Sequence, residues 1–138
     1  MPLIYRVIYE ENGKPQVGDL GSRLGVRPED IDVDADGFVY PGTGGMSVAP
    51  HWRVLPVSFL PKRMRDRVFA ARRSNSYRVW KMGEGAFISE KLTEYLTLRV
   101  DPERPDEHGF VEPAFKMLWT EFQGHLAATQ DRWEDGET

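Results

Sequence analysis

Cysteine is absent from the 138 residues, which excludes disulfides, thiolate catalysis and cysteine-ligated zinc and fits a chain that works in a reducing compartment. Histidine is scarce. His51, His108 and His125 show no HExxH or HxH spacing, so a metal hydrolase is poorly supported and no metal is expected. No apolar stretch approaches the ~20 residues that span a bilayer. The opening Met1-Pro2-Leu3-Ile4-Tyr5-Arg6 lacks a basic segment followed by a long apolar run, so no signal peptide is visible and a soluble, cytoplasmic chain is expected. There is no excess of basic charge either: the formal net charge is −4, with 40% hydrophobic and 29% charged residues, an ordinary globular balance that argues against nucleic acid as the partner. The motifs GxxxxGK[ST] and GxGxxG are missing, and Ala49 stands two residues after Ser47 where a GxSxG elbow needs glycine. Phosphate-loop, Rossmann and triad-esterase chemistry therefore lack their sequence signatures.

The length fits a single domain, residues 1–138, with room for one real core. Residues 3–10 are rich in β-branched and aromatic side chains on both alternating sets, as in a strand covered on both faces. Arg6 falls on the face of Ile4 and Ile8, with Leu3, Tyr5, Val7 and Tyr9 opposite. A guanidinium in such a run needs a partner or a watery cleft, because burying it unpaired is costly. Asn12–Pro15 reads as a turn, and Arg27–Ile31 as a single helical turn opened by Pro28. Asp32–Gly37 imitates the start of a calcium loop, but Thr43 occupies the twelfth position where a bidentate glutamate is required, so a solvated acidic turn is preferred. A short strand, Phe38–Tyr40, leads into Tyr40-Pro41-Gly42-Thr43-Gly44-Gly45-Met46-Ser47-Val48. Glycines there permit positive φ and close backbone approach to a ligand, or simply a tight turn between strands.

Prolines 50, 56 and 61 make residues 49–62 an ordered, irregular wrap instead of a strand. Residues 62–73 carry six basic side chains; a solvated face with Met64, Val68 and Ala71 inward is favoured over a nucleic-acid arm, with a patch for a pyrophosphate or an acidic partner between them. Ser76–Lys81, Leu92–Val100 and His108–Glu112 read as strands. A helix is expected from about Phe115 to Trp133, on the stripe Phe115, Leu118, Trp119, Phe122, Leu126 and Trp133, with residues 134–138 fraying. The order of elements gives a mainly β, α+β domain.

Three candidates for chemistry remain: Arg6 in the first strand, Ser47 after the glycine loop, and Glu112 in the last strand. They suit an NAD-dependent transferase. Cleaving the nicotinamide glycosidic bond passes through an oxocarbenium-like state that a carboxylate such as Glu112 can stabilise while it helps deprotonate an acceptor. An arginine would clamp phosphate or ribose, and a serine hydroxyl would hold the cleft shape or position the carboxylate. Each also has an ordinary structural explanation: an ion pair for Arg6, turn hydrogen bonds for Ser47, an exposed strand position for Glu112.

Three segments resemble the type VI secretion effectors of the Tse type. Leu3-Ile4-Tyr5-Arg6-Val7 is similar to the family's Leu-Tyr-Arg opening strand. Asp36–Pro41 through Gly44-Gly45-Met46-Ser47-Val48 is similar to its Gly-Leu-Tyr-x-Pro…Gly-Gly-Thr-Ser-Val segment, with Met46 in the place of threonine. His108-Gly109-Phe110-Val111-Glu112-Pro113-Ala114, then Met117 and Gly124-His125-Leu126, resembles its His-x-x-Ile-x-Pro-Ala…Met…Gly-His-Leu pattern. The resemblance implies an ADP-ribosyltransferase-like toxin delivered into a target-cell cytoplasm by contact-dependent secretion. It implies two small, roughly perpendicular, mainly antiparallel sheets around a cleft, with a C-terminal helix. NAD would be the substrate, held at Tyr5, Arg6, Tyr40, Gly44, Gly45 and Ser47, with a macromolecular acceptor, and an immunity protein would cover the cleft. Catalysis would fall to Arg6 and Ser47, while Glu112 rests on the general transferase layout. Two alternatives stay open: a non-enzymatic module that binds a partner through the proline-rich segment, and an RNA-directed toxin that uses residues 62–73.

Overall fold

Alternation in the first strand divides the interior into two cores. In the computed structural model, which describes residues 1–138, the strands are β1 (Ile4–Glu11), β2 (Lys14–Pro15), β3 (Phe38–Val39), β4 (Met46–Val48), β5 (Tyr77–Met82), β6 (Glu90–Lys91), β7 (Leu96–Val100), β8 (Gly109–Pro113), β9 (Met117–Leu118) and β10 (Glu134–Asp135), with one α-helix, α1 (Trp119–Ala127). Ile4 and Ile8 on one face of β1 belong to a core of 18 buried residues that includes Met46, Val111, Phe122 and Leu126. Tyr5 and Val7 on the other face belong to a core of seven built around Trp52, Leu60 and Met64. The chain is α+β, and the two-sided burial expected of the first strand is what the fold shows.

Two four-stranded sheets, in the orders β10-β5-β1-β2 and β4-β8-β7-β6, and a β3-β9 ladder make up the architecture; every pairing in them is antiparallel. β2 covers only the end of β1, at Glu10 and Glu11. The earlier part of that edge is open, and the residue following β4 fills part of it: Tyr5 N–H donates to the Ala49 carbonyl at 2.8 Å and Ala49 N–H to the Tyr5 carbonyl at 2.9 Å. This bridge joins the two large sheets, and the candidate site lies beside it. No helix is long and apolar enough to cross a membrane.

Four expectations are corrected. The helix starts at Trp119, not Phe115, because Met117 and Leu118 pair with Val39 and Phe38 as a strand, and Glu121 turns back to accept the Leu118 N–H at 3.0 Å. It ends at Ala127; Trp133 is buried from beyond a 3-10 turn, with its indole donating to Thr129 Oγ1 at 3.0 Å, so the apolar stripe overshot the helix at both ends. The strand expected over 92–100 begins at Leu96. Thr93 Oγ1 accepts the N–H groups of Tyr95 and Leu96, both at 3.2 Å, and folds 92–95 into the turn between β6 and β7. The C-terminus does not fray: β10 pairs with Lys81 and Trp80 of β5, and Glu137 is buried. In the basic run Met64 and Ala71 are buried as expected, yet much of the charge is not merely solvated. Arg63 binds Glu137, Arg65 donates to the Ala71 carbonyl, Arg67 reaches the Glu137 carbonyl, and Arg73 donates to Ser22 Oγ.

Candidate active site

β4 alternates inward and outward. Met46 and Val48 enter the main core and Ser47 faces out, exposed. Behind Ser47 lies Arg6. Its Nη1 donates to the Ser47 carbonyl at 2.8 Å and its Nε to the Arg23 carbonyl at 3.1 Å. These two bonds answer what the sequence leaves open: the partners of this half-buried guanidinium are backbone carbonyls, and the strongest charge acting on it is Asp30. Burial lowers the Arg6 pKa to about 10 and Asp30 resists the fall, so the side chain remains a cation at neutral pH.

The outer face of β8 continues the site. Ser47 registers with Phe110, and His108, two residues earlier, rises on the same face. His108 Nε2 lies 3.2 Å from Ser47 Oγ and its Nδ1 lies 2.9 Å from Asp101 Oδ2. Asp101 follows β7 directly, and its N–H donates to the His108 carbonyl at 3.0 Å, closing the charged loop 101–108 at its base. The hydrogen bond from His108 and then that from the Glu103 N–H hold the Asp101 carboxyl below its usual range. A cleft of about 240 Å³ opens here, its lining including the polar Arg6, Ser47, Arg104, Glu107 and His108 and the apolar Val54 and Phe59.

Arg6 and Ser47, 41 residues apart in the chain, are therefore brought together. The other candidates lie elsewhere. Glu112 does not line the cleft; it is buried, and its Oε2 accepts the Gly42 N–H at 2.7 Å and Arg99 Nε at 3.0 Å, tying the glycine loop to β8. Tyr5 faces the smaller core, its ring 5.2 Å from that of His51. Tyr40 donates its hydroxyl to Asp34 Oδ2 at 2.6 Å. Gly44 and Gly45, at φ 128° and 153°, allow close backbone approach, but to the chain itself. A Cβ at Gly44 would lie 2.1 Å from the Asp30 carbonyl oxygen, and one at Gly45 2.3 Å from that of Val111. The Asp34 carboxylate is occupied by the N–H groups of Asp36 and Phe38, and nowhere do three or more His, Cys, Asp or Glu side chains converge as a metal-ligand set would.

Asp101, Arg104 and Glu107 escaped sequence reasoning because their loop reads as generic charge. His108 carried one signal, its place in the terminal His-x-x-x-x-Pro-Ala pattern, and no ligand spacing drew attention to it. No family model, curated protein or solved structure matches the chain.

Proposed function

We propose that the chain is an ADP-ribosyltransferase-like toxin domain that cleaves NAD in the cleft beside the sheet junction and acts in the cytoplasm of a target cell. One observation carries the reading: Arg6 and Ser47, singled out for this chemistry from distant parts of the chain, wall the same cleft, with a second guanidinium, Arg104, beside them. Two cations in its lining suit a pyrophosphate. Val54 and Phe59 in the same lining suit a flat aromatic base. The carboxylate on this cleft is Glu107, so in this reading Glu107 faces the ribose and Glu112 holds the glycine loop. An immunity protein would cover the cleft mouth, where Arg104 and Glu107 are exposed.

The test is intact-mass analysis of target-cell extract incubated with NAD and the protein. ADP-ribose is expected on an acceptor, with loss of the product in Arg6→Ala and Ser47→Ala variants that keep their melting transitions. No ADP-ribose adduct, together with no change in the protein's spectra at millimolar NAD, would refute it. A second reading has its own support. Val54, Val57 and Phe59 are 39%, 47% and 45% exposed on the proline-rich wall, which suits a non-enzymatic module that docks a protein partner. Expression in bacteria separates the two, since a pure binder is harmless and Ser47→Ala leaves it unchanged.

A further inference from the structure

Ser47 has a chemistry that holding a ligand does not use. An ionised carboxylate only accepts hydrogen bonds, so the Asp101 carboxylate takes the Nδ1 proton of His108, and Nε2 is left as the unprotonated acceptor for the Ser47 hydroxyl 3.2 Å away. Neither the tautomer nor the ring orientation depends on the serine. Asp101 is fixed by the Glu103 N–H at 2.9 Å and by the backbone bond that closes its loop. The His108 ring stands edge-on to Phe110 with centroids 4.6 Å apart. All three residues sit in or directly beside the strands of one sheet, where positions are held more tightly than on a free loop.

We propose that Ser47 is the nucleophile of an acyl-transfer activity, with His108 as its general base and Asp101 as the residue that positions the base, acting on small carboxylic esters with an apolar acyl group. In the first half-reaction a bond forms from Ser47 Oγ to the ester carbonyl carbon while the hydroxyl proton passes to His108 Nε2. The carbon–oxygen bond to the leaving group then breaks, the leaving oxygen takes that proton, and an acyl-Ser47 remains. In the second, water gives a proton to His108 as it attacks, the acid departs, and the proton returns to Ser47. Charge developing on the carbonyl oxygen meets a cation of the same cleft: Nε and Nη1 of Arg6 are held by carbonyls, and its Nη2 has no partner within the protein. Val54, Leu55 and Phe59 supply the apolar lining against which the acyl group would pack. The serine lies in a strand and not at a strand-to-helix elbow, which is why no GxSxG motif marks it.

The activity does not rest on NAD binding, and its test contains no nucleotide. The full chain is incubated with a fluorophosphonate, and the adduct is followed by intact mass and located by peptide mapping. One adduct on Ser47 is expected, absent in Ser47→Ala and formed ~100-fold more slowly in His108→Gln, the usual scale of a lost general base. Asp101→Asn slows it at least about tenfold without abolishing it, and free imidazole restores labelling in His108→Gly, which a merely structural role for the histidine would not allow. p-Nitrophenyl butyrate hydrolysis is expected to follow the same order among the variants. Labelling on another residue, no labelling at all, or equal rates in the wild type and His108→Gln with matching melting temperatures would overturn the proposal.

Discussion

Glu137 is the second-last residue of the chain, and its loss is expected to cost as much as a core mutation. The carboxylate is buried. Oε1 accepts Arg63 Nε at 2.6 Å, while Oε2 accepts both Arg63 Nη2 at 2.7 Å and the Val79 N–H at 3.0 Å. In Glu137→Gln the amide oxygen can take the place of Oε2 and keep two of the three bonds, but the amide NH2 then faces Arg63 Nε donor to donor. A hydrogen bond to a charged group contributes about 1.5–3 kcal/mol. Breaking a fully buried pair costs about 3–5 kcal/mol, and Arg63, with 28% of its side chain exposed, can recover part of that by reaching water. The expected loss is about 2.5 kcal/mol, which in a domain of this size lowers Tm by roughly 8 °C. The consequence reaches the site. The Trp52 indole donates to the Thr138 carbonyl at 3.2 Å, and Trp52 starts the segment that walls the cleft at Val54 and Phe59. Thermal melts of the wild type and Glu137→Gln measure it. A Tm within about 2 °C of wild type for Glu137→Gln would refute the reasoning, since it would mean the guanidinium is solvated without cost.

Two further outcomes follow from the geometry. Gly44→Ala places a Cβ 2.1 Å from the Asp30 carbonyl oxygen at φ 128°, so a loss of about 2–4 kcal/mol in urea melts is expected, against nearly none for Gly124→Ala, whose Cβ meets nothing within 4 Å. In acid, Asp30, Asp34 and Asp101 all sit below their ordinary 3.8. For Asp30 burial acts upward, and the hydrogen bonds and charge of Arg27 outweigh it; for Asp34 the Tyr40 hydroxyl is the largest cause. A carboxyl with a lowered folded pKa contributes stability that is present above the unfolded value and lost as pH falls through the folded one. His51, lowered by burial and then by Arg53, adds a loss that begins higher, as pH drops below 6.5 and the unfolded chain binds the proton first. Melts from pH 8 to 2 should show a shallow decline below 6.5 and a steeper one below 3.8; a flat profile down to pH 3 would contradict the assignments.

How much of this was legible depended on whether a segment's pattern had one physical cause. β1 was readable because two-sided burial wrote itself into both alternating sets, and Arg6 stood out as the one charge on a face that enters the core. The terminal helix was over-read because its stripe had three causes: Phe115 and Leu118 are exposed, the first in a bend and the second in β9, Phe122 and Leu126 are true helix-core positions, and Trp133 is buried from a later turn. Met46, which differs from the threonine of the resembling family, points into the core and not into the cleft, so the departure changes packing without touching the site. The His108–Asp101 pair was invisible for the opposite reason. The seven-residue separation that brings the two side chains together is set by how a loop closes between β7 and β8, and no short motif encodes that closure.

Arg6 and Glu112 show how one sheet junction assigns different work to two charges, the first half-buried and the second buried. Both are removed from bulk water, and removal is unfavourable for each unless its bonding is completed. Glu112 is completed internally, with a guanidinium and a backbone N–H on one oxygen, which fixes the 42–47 loop and leaves no requirement for a ligand. Arg6 is not. It is held by two carbonyl dipoles, its pKa is drawn down to about 10, and no carboxylate lies within ion-pairing distance. An apolar residue of similar length would avoid the desolvation cost but would leave the Arg23 and Ser47 carbonyls without these donors. An incompletely neutralised guanidinium at a cleft wall is stabilised by whatever anion enters, whether a pyrophosphate or the developing oxyanion of an ester. Both readings of the site share this requirement, so Arg6 serves either chemistry, whereas Ser47 is the nucleophile of the second alone.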